Sequence, residues 1–308
     1  MSKRVRVITF TCLCLAAIGL LAAQGLGSGT DPADKADALR AATTAALPTQ
    51  YVSLGDSLAA GLQPDSQGHD RPTNAGYAHV VGRRLAKQYP GLATRLLSCG
   101  GATTTTLING NEACRQEGEP SQLEQAEDLL GRRGRRTVLV TVNIGDNDVE
   151  RCMNMTTQSI DTDCVKRGTA TVESNLKVIA QRLRKAAGSD VPIVGILDYD
   201  QFLALWLKGA HGRAVARRSV DIISSLNAQM ARIYRAGGVR VADAGQRFGT
   251  TDLKTMATLP GVGRVPLAVS RICRWTWSCA APPVGPDDHA RASGYRVIAD
   301  AVLAALPH

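Results

Sequence analysis

Five short apolar runs recur along the chain: Tyr51–Leu54, Thr94–Ser98, Thr137–Ile144, Pro192–Leu197 and Val239–Ala242. None alternates polar with apolar residues over its whole length, so each suits a strand covered on both faces. Between and after them lie stretches of helical periodicity: Ala75–Gln88, Ser121–Leu130, Thr169–Lys185, Arg213–Ala236 and about Asp288 to Leu306. Strands that alternate with helices predict an α/β fold, here a three-layer α/β/α sandwich around a central parallel sheet of about five strands. No internal repeat is evident. Hydrophobic residues make up 44% of the 308 and aromatics only 4%, so the core must be built from Ala, Val, Leu and Ile.

An open parallel sheet binds ligands outside the carboxyl ends of its strands. Chemistry is therefore expected just after the strand runs. Ser57 follows the first, Gly100 and Gly101 the second, and Asn147 the third. In Tyr51 to Leu62, YVSLGDSLAAGL, the strand pattern stops at Gly55-Asp56-Ser57 and a helix pattern begins at once. A serine at such a corner is either an ordinary helix cap or a nucleophile held at a helix N-terminus, where developing negative charge is favoured. Gly101 lets backbone approach a reacting group. Asn147, in Gly145-Asp146-Asn147-Asp148, is a neutral directional donor for an oxyanion, or else a turn residue. Of the five histidines, His289 at the predicted start of the last helix is best placed to return to the crevice as a base; its plainer reading is a first-turn helix residue.

Lys3, Arg4 and Arg6 precede an apolar stretch from Val7 to Ala23, followed by small residues. That is the pattern of an export signal, expected over residues 1–28; an uncleaved anchor is the alternative. Residues 29–48 read as an Ala-, Asp- and Thr-rich linker, and 49–308 as one catalytic domain. The formal charge is +9, of which three positive charges belong to the signal. The densest basic run, Gly131–Arg136, lacks interleaved aromatics or a recognition helix, so nucleic acid is not an expected partner. It reads as a solvated turn and leaves open a weak attraction to anionic membrane or envelope surfaces. Beyond the signal stand six cysteines, Cys99, Cys114, Cys152, Cys164, Cys273 and Cys279. Their grouping favours the sequential pairs Cys99–Cys114, Cys152–Cys164 and Cys273–Cys279 in an exported chain. No CxxC occurs and no histidines cluster with them, so no metal site is expected.

These residues, in this order, resemble the SGNH hydrolases, also called the GDSL esterase/lipase family. The blocks are Gly55-Asp56-Ser57-Leu58, Gly101 with Ala102-Thr103, Gly145-Asp146-Asn147-Asp148, and His289 with Gly294-Tyr295 after it. Each alone is weakly specific; four in order over about residues 49 to 306 are not. No Gly-x-Ser-x-Gly occurs, which argues against an α/β-hydrolase. Among family members the chain looks most like secreted actinobacterial esterases and lipases, which carry three disulfides. The resemblance implies a flavodoxin-like sheet, no cofactor, a monomer, and an acyl-ester or lipid substrate. It implies Ser57 as nucleophile, His289 as base, and Ser57, Gly101 and Asn147 as oxyanion donors. One departure stands out: the family's aspartate three residues before the histidine is here Pro286. Asp287, Asp288 or the Pro286 carbonyl could orient the imidazole instead. Trp275, Trp277, Leu203, Leu205 and Trp206 either line an apolar acyl site or pack loops on the core. An acyltransferase with the same residues and a non-catalytic binding protein are the alternative readings.

Overall fold

The computed structural model describes residues 47–110, 118–132 and 134–307. The expected export signal, most of the linker, Cys114, Arg133 and His308 lie outside these residues. In chain order the first elements are β1 (Thr49–Gly55), α1 (Ser57–Ala60), the hairpin β2 (Leu62–Pro64) and β3 (Asp70–Pro72), α2 (Tyr77–Leu85) and β4 (Ala93–Leu96). Then come α3 (Thr104–Asn109), α4 (Gln122–Gly131), β5 (Arg136–Asn143), α5 (Asp146–Glu150), and the small hairpin β6 (Met153–Asn154) and β7 (Ser159–Ile160). The rest is α6 (Thr162–Ala187), β8 (Ile193–Leu197), a 3-10 helix (Gln201–Leu207), α7 (Gly209–Ala236), β9 (Arg240–Asp243), α8 (Ala244–Phe248), β10 (Met256–Leu259), β11 (Gly263–Pro266), α9 (Leu267–Trp275) and α10 (Ala292–Ala304).

Five strands form one sheet in the order β4-β1-β5-β8-β9, with every pairing parallel. The five expected strands are the five observed, with ends moved by at most two residues. The chain winds outward in one direction from β1 to β4 and in the other from β1 to β5, so the order reverses between β1 and β5. Such a reversal opens a crevice at the carboxyl ends of those two strands.

Alternate residues of each strand face opposite layers. Val52, Leu54, Val140 and Val142 pack with Leu176 and Ile179 of α6 and Ile223 and Met230 of α7. Tyr51, Leu139, Val194 and Ile196 pack with Val81 of α2 and Ile298 and Val302 of α10. Burying each such side chain contributes about 1.5–3 kcal/mol relative to leaving it exposed. Aromatics are few, but five of the six tyrosines are fully buried; the hydroxyls of Tyr51, Tyr77, Tyr199 and Tyr295 have hydrogen-bond partners among the described residues, and that of Tyr234 has none. Tyr51 Oη lies 2.8 Å from Thr141 Oγ1, which donates to Ser53 Oγ at 3.0 Å. Tyr295 Oη donates to the Leu62 carbonyl at 2.7 Å, and Tyr199 Oη to that of Asp288 at 2.8 Å. The last two bonds reach from the core to the segments that frame the crevice.

Three expected helices differ at their starts by four residues or more, and of these α7 begins at Gly209 rather than Arg213. α6 begins at Thr162 rather than Thr169, because Asp161 accepts from the Cys164 N–H and caps it there. α10 begins at Ala292, so Asp287, Asp288 and His289 precede it in irregular backbone instead of forming its first turn. Two expected disulfides are present: Cys152–Cys164, with Cα atoms 5.5 Å apart, and Cys273–Cys279, 5.0 Å apart. The first ties the segment after α5 to α6, and the second closes the end of α9.

Candidate active site

The corner after β1 is built around Gly55. Its φ is +143°, and a Cβ there would stand 2.1 Å from the Asn143 carbonyl oxygen, so no side chain fits. Gln122 of α4 brackets the same residue, accepting from Gly55 N–H at 2.9 Å and donating to its carbonyl at 3.0 Å. Asp56 N–H then donates to the Asn143 carbonyl at 3.2 Å, which carries the chain across the end of β5. The cap of α1 is Asp56, whose Oδ1 accepts from Leu58 N–H at 3.0 Å. Ser57 is thus not the cap. It is the first helical residue, half-buried on the crevice wall.

Two more segments meet it. Gly101 has φ +71°, a left-handed conformation that favours glycine, although a Cβ there would touch nothing. Behind it, Thr103 and Thr106 form a reciprocal capping box that fixes the start of α3. Asn147 enters from α5, and its Nδ2 donates to the Ala102 carbonyl at 3.1 Å. That bond fixes the amide plane and uses one of its two N–H groups. The neighbouring Asp148 is buried and accepts from both the N–H and the hydroxyl of Thr104, each at 2.8 Å. Asp148 therefore clamps the Asn147 segment to the Gly101 segment. The signal for this clamp was in the sequence, in the second acid of Gly145-Asp146-Asn147-Asp148.

His289 comes from the far end of the chain and is only 5% exposed. Its backbone carbonyl accepts from Trp277 N–H at 3.0 Å, and an isolated β-bridge joins Thr276 to Ala290. Its ring is turned so that Nδ1 faces carboxylates. Asp287 Oδ1 lies 3.1 Å away and Oδ2 3.2 Å, while Oδ1 also accepts the His289 backbone N–H at 2.9 Å. Asp70 Oδ1 stands at 3.3 Å and Asp288 Oδ1 at 3.7 Å. Of the three orienting groups the sequence left open, the Asp287 carboxylate holds Nδ1, and the Pro286 departure does not leave the imidazole without an acid. Burial pulls the imidazole pKa down, but the Asp287 hydrogen bond and the charges of Asp288, Asp287 and Asp70 outweigh it, pushing the value up to about 9.

Ser57, Gly100, Gly101, Asn147 and His289 line one cavity of about 400 Å³, together with Leu62, Asp70, Glu150, Arg151, Met153 and Asp288. A larger groove of about 990 Å³ runs between α6 and α7, but it holds none of these residues. Asp70, Glu150, Arg151 and Met153 are wall residues that sequence reasoning missed. The three tryptophans and Leu203 and Leu205 do not line the cavity. Trp275 packs edge-on to Phe248, Trp277 stacks under Arg291 at 3.7 Å, and Trp206 lies under Arg217. Leu203 and Leu205 are wholly buried. All five pack loops and core.

Beneath the nucleophile lies a group of buried acids. Burial, with the charge of Asp198, raises Asp56 well above the usual carboxylate range, and burial with the charge of Glu150 does the same for Asp146. Burial, with the charge of Asp288, lifts Glu150 to about 8, and burial lifts Asp198 to about 6 against the hydrogen bond it accepts from Asn143. Asp200, outside the cavity and bonded to Ser219, is lifted by burial to about 7. Each folded-state value exceeds the unfolded one, so each contribution to stability is complete below the unfolded pKa and is lost as pH rises through the folded pKa. His289 has the same sign. The melting temperature is therefore expected to fall between about pH 5 and pH 9, as scanning calorimetry at constant ionic strength would measure.

A family model described as the GDSL-like Lipase/Acylhydrolase family matches residues 53–263, a span that holds Ser57, Gly101 and Asn147 and ends before His289. Among solved structures, phospholipase A1 from Streptomyces albidoflavus aligns with a TM-score of 0.53 and 20% identity, over 83% of this chain and 99% of its own. An extracellular lipase from Streptomyces rimosus gives 0.51 and 20%, over 84% and 100%. A lipase from a goat rumen metagenome gives 0.51 and 14%, over 83% and 97%. No curated protein matches at a significant level. At these identities the structural likeness speaks for the fold, the three-layer α/β arrangement of such hydrolases.

Proposed function

The chain belongs to the GDSL-like lipase/acylhydrolase family and is a carboxylic-ester hydrolase, and from that premise we propose that it is an exported serine esterase that works through an acyl-serine intermediate. The observation that carries the proposal is the convergence of Ser57, Gly101, Asn147 and His289 on one cavity at the point where the strand order reverses. His289 Nδ1 is occupied by Asp287, which leaves Nε2 to act on the serine. Neutral His289 takes the proton of Ser57 Oγ as the oxygen attacks the acyl carbonyl. Asp287 accepts a hydrogen bond from the Nδ1–H, which stays on the ring, and stabilises the imidazolium. The N–H groups of Ser57 and Gly101 and the free N–H of Asn147 receive the oxyanion, each such donor contributing on the order of 10²–10³ in rate. Collapse expels the alcohol, protonated by the imidazolium. Water, deprotonated in turn by His289, then releases the acid and restores Ser57.

The wall chemistry narrows the substrate. Among the described residues, Leu62 and Met153 are the only large apolar side chains on it, while Asp70, Glu150, Asp288 and Arg151 are ionisable. A long acyl chain would find little surface to bury there. We therefore assign short-chain acyl esters of polar alcohols as the substrate class, in place of long-chain lipid. Export is supported by the N-terminal apolar run and by the two disulfides. The test is a series of nitrophenyl esters from acetate through butyrate and octanoate to laurate. Turnover is expected throughout the short esters, with kcat/KM falling on the order of tenfold or more from butyrate to laurate. A rise toward laurate would overturn the substrate class, and no turnover of any ester would overturn the mechanism.

A further inference from the structure

Asp70 stands on β3, far from His289 in sequence, yet its carboxylate oxygen is 3.3 Å from His289 Nδ1, against 3.1 Å for Asp287. The hairpin that carries it is held firmly. Asp65 Oδ1 accepts from Gln67 N–H at 2.9 Å and from His69 N–H at 3.0 Å, which fixes the turn. Gly68 lies against the Pro283 carbonyl so closely that a Cβ would stand 2.0 Å from its oxygen. Trp277 Nε1 donates to Gln63 Oε1, and Tyr295 Oη to the Leu62 carbonyl. The hairpin is therefore docked on the same segment that bears the histidine, and Asp70 is presented to Nδ1 by a second element.

Nδ1 carries one proton, and two carboxylates stand within 3.3 Å of it. The carboxylate oxygens of Asp70 and Asp287 lie within 4.8 Å of each other and of the ring nitrogen, and burial, with the charge of Asp287, holds the Asp70 carboxyl above its usual range. Asp287 is committed twice, to the backbone N–H of His289 and to its ring. That double duty follows from the short two-residue spacing.

We propose that Asp70 is a second orienting carboxylate for His289, which holds the Nδ1 proton jointly with Asp287 and takes over that hydrogen bond when Asp287 is lost. Asp70 acts through His289, so it is a positioning residue; the inference rests on His289 being the base. Other ionisable groups face the imidazole as well. Asp287 and Asp288 come from its own segment, Asp56 precedes α1, Glu150 ends α5, and Arg151 stands on the cavity wall. Arg291 is engaged with Trp277 and the Thr276 carbonyl.

The experiment compares the unmodified protein with Asp70→Asn, Asp287→Asn and the double variant. It records kcat/KM for nitrophenyl acetate against pH and the labelling of the serine by a fluorophosphonate. The rising, acid-side limb of the profile, which reports deprotonation of His289, is expected to move down by about one pH unit in Asp70→Asn, since one charge near the imidazolium is gone. Asp70→Glu should return the limb toward its original place. Asp287→Asn is expected to lose about tenfold, and the double variant on the order of 10³–10⁴, the loss known when a triad acid is fully removed. Asp65→Asn loosens the hairpin turn but leaves both carboxylates, and should not move the limb. An Asp70→Asn profile that superimposes on the original overturns the proposal, as does a double variant no worse than Asp287→Asn. If the unmodified protein neither turns over ester nor accepts the fluorophosphonate, it is the serine-esterase reading itself that falls.

Discussion

Ser57→Ala is expected to lower ester turnover on the order of 10⁴-fold or more and to abolish fluorophosphonate labelling, with the fold intact. The fold should survive because the hydroxyl has no capping duty: Asp56 caps α1, and its bond to Leu58 N–H is untouched by the change. Stability should therefore stay within about 0.5 kcal/mol of the original, the range of substitutions that break no cap, core or network. A serine kept only as a cap would show the reverse pattern, with retained turnover and a loss of about 1 kcal/mol. Unchanged nitrophenyl-ester hydrolysis by the variant would remove Ser57 from the mechanism.

Gly55→Ala should do its damage by the opposite route. The added methyl would meet the Asn143 carbonyl oxygen at 2.1 Å and the Ala59 Cβ at 2.9 Å, in a backbone conformation of φ +143°. Neither neighbour can yield cheaply. Asn143 ends β5 and is paired to Gly55 in the sheet, and its side chain is bonded to Asp198. Backbone strain and overpacking together are expected to cost about 3–5 kcal/mol, which a urea melt would read as an early midpoint or a missing native baseline. A cooperative melt within about 1 kcal/mol of the original would show that the corner can rearrange. Any activity left in this variant should track the folded fraction, whereas in Ser57→Ala it should not.

The sheet was legible because its strands are buried on both faces, and such burial leaves continuous apolar runs that no loop needs. The crevice was legible for a related reason: Ser57, Gly101 and Asn147 each follow a strand run directly, and parallel strands deliver their ends to one side. What was not legible depends on contacts between segments. The β2–β3 hairpin rests on Asp65 side-chain bonds and on the Pro283 carbonyl, and neither leaves a periodic signature. Consequently, nothing in the sequence singles out Asp70. His289 was found, but the helix expected around it was not, because Thr276–Ala290 bridging holds that segment extended up to Arg291. The same irregular backbone is what lets Asp287 reach the ring, which helical spacing would have prevented. The sequence left the tryptophans between two readings for want of a partner in view: each packs against an arginine or a phenylalanine that only the folded chain brings close.

The acids under the nucleophile and the imidazole above it, all with pKa values raised by their surroundings, set two clocks running against each other. Mild acid is where this enzyme should keep, and alkali is where it should work, since the base must first shed its proton. A preparation stored sour and brought to alkaline pH for use would gain speed at the moment its working life begins to shorten.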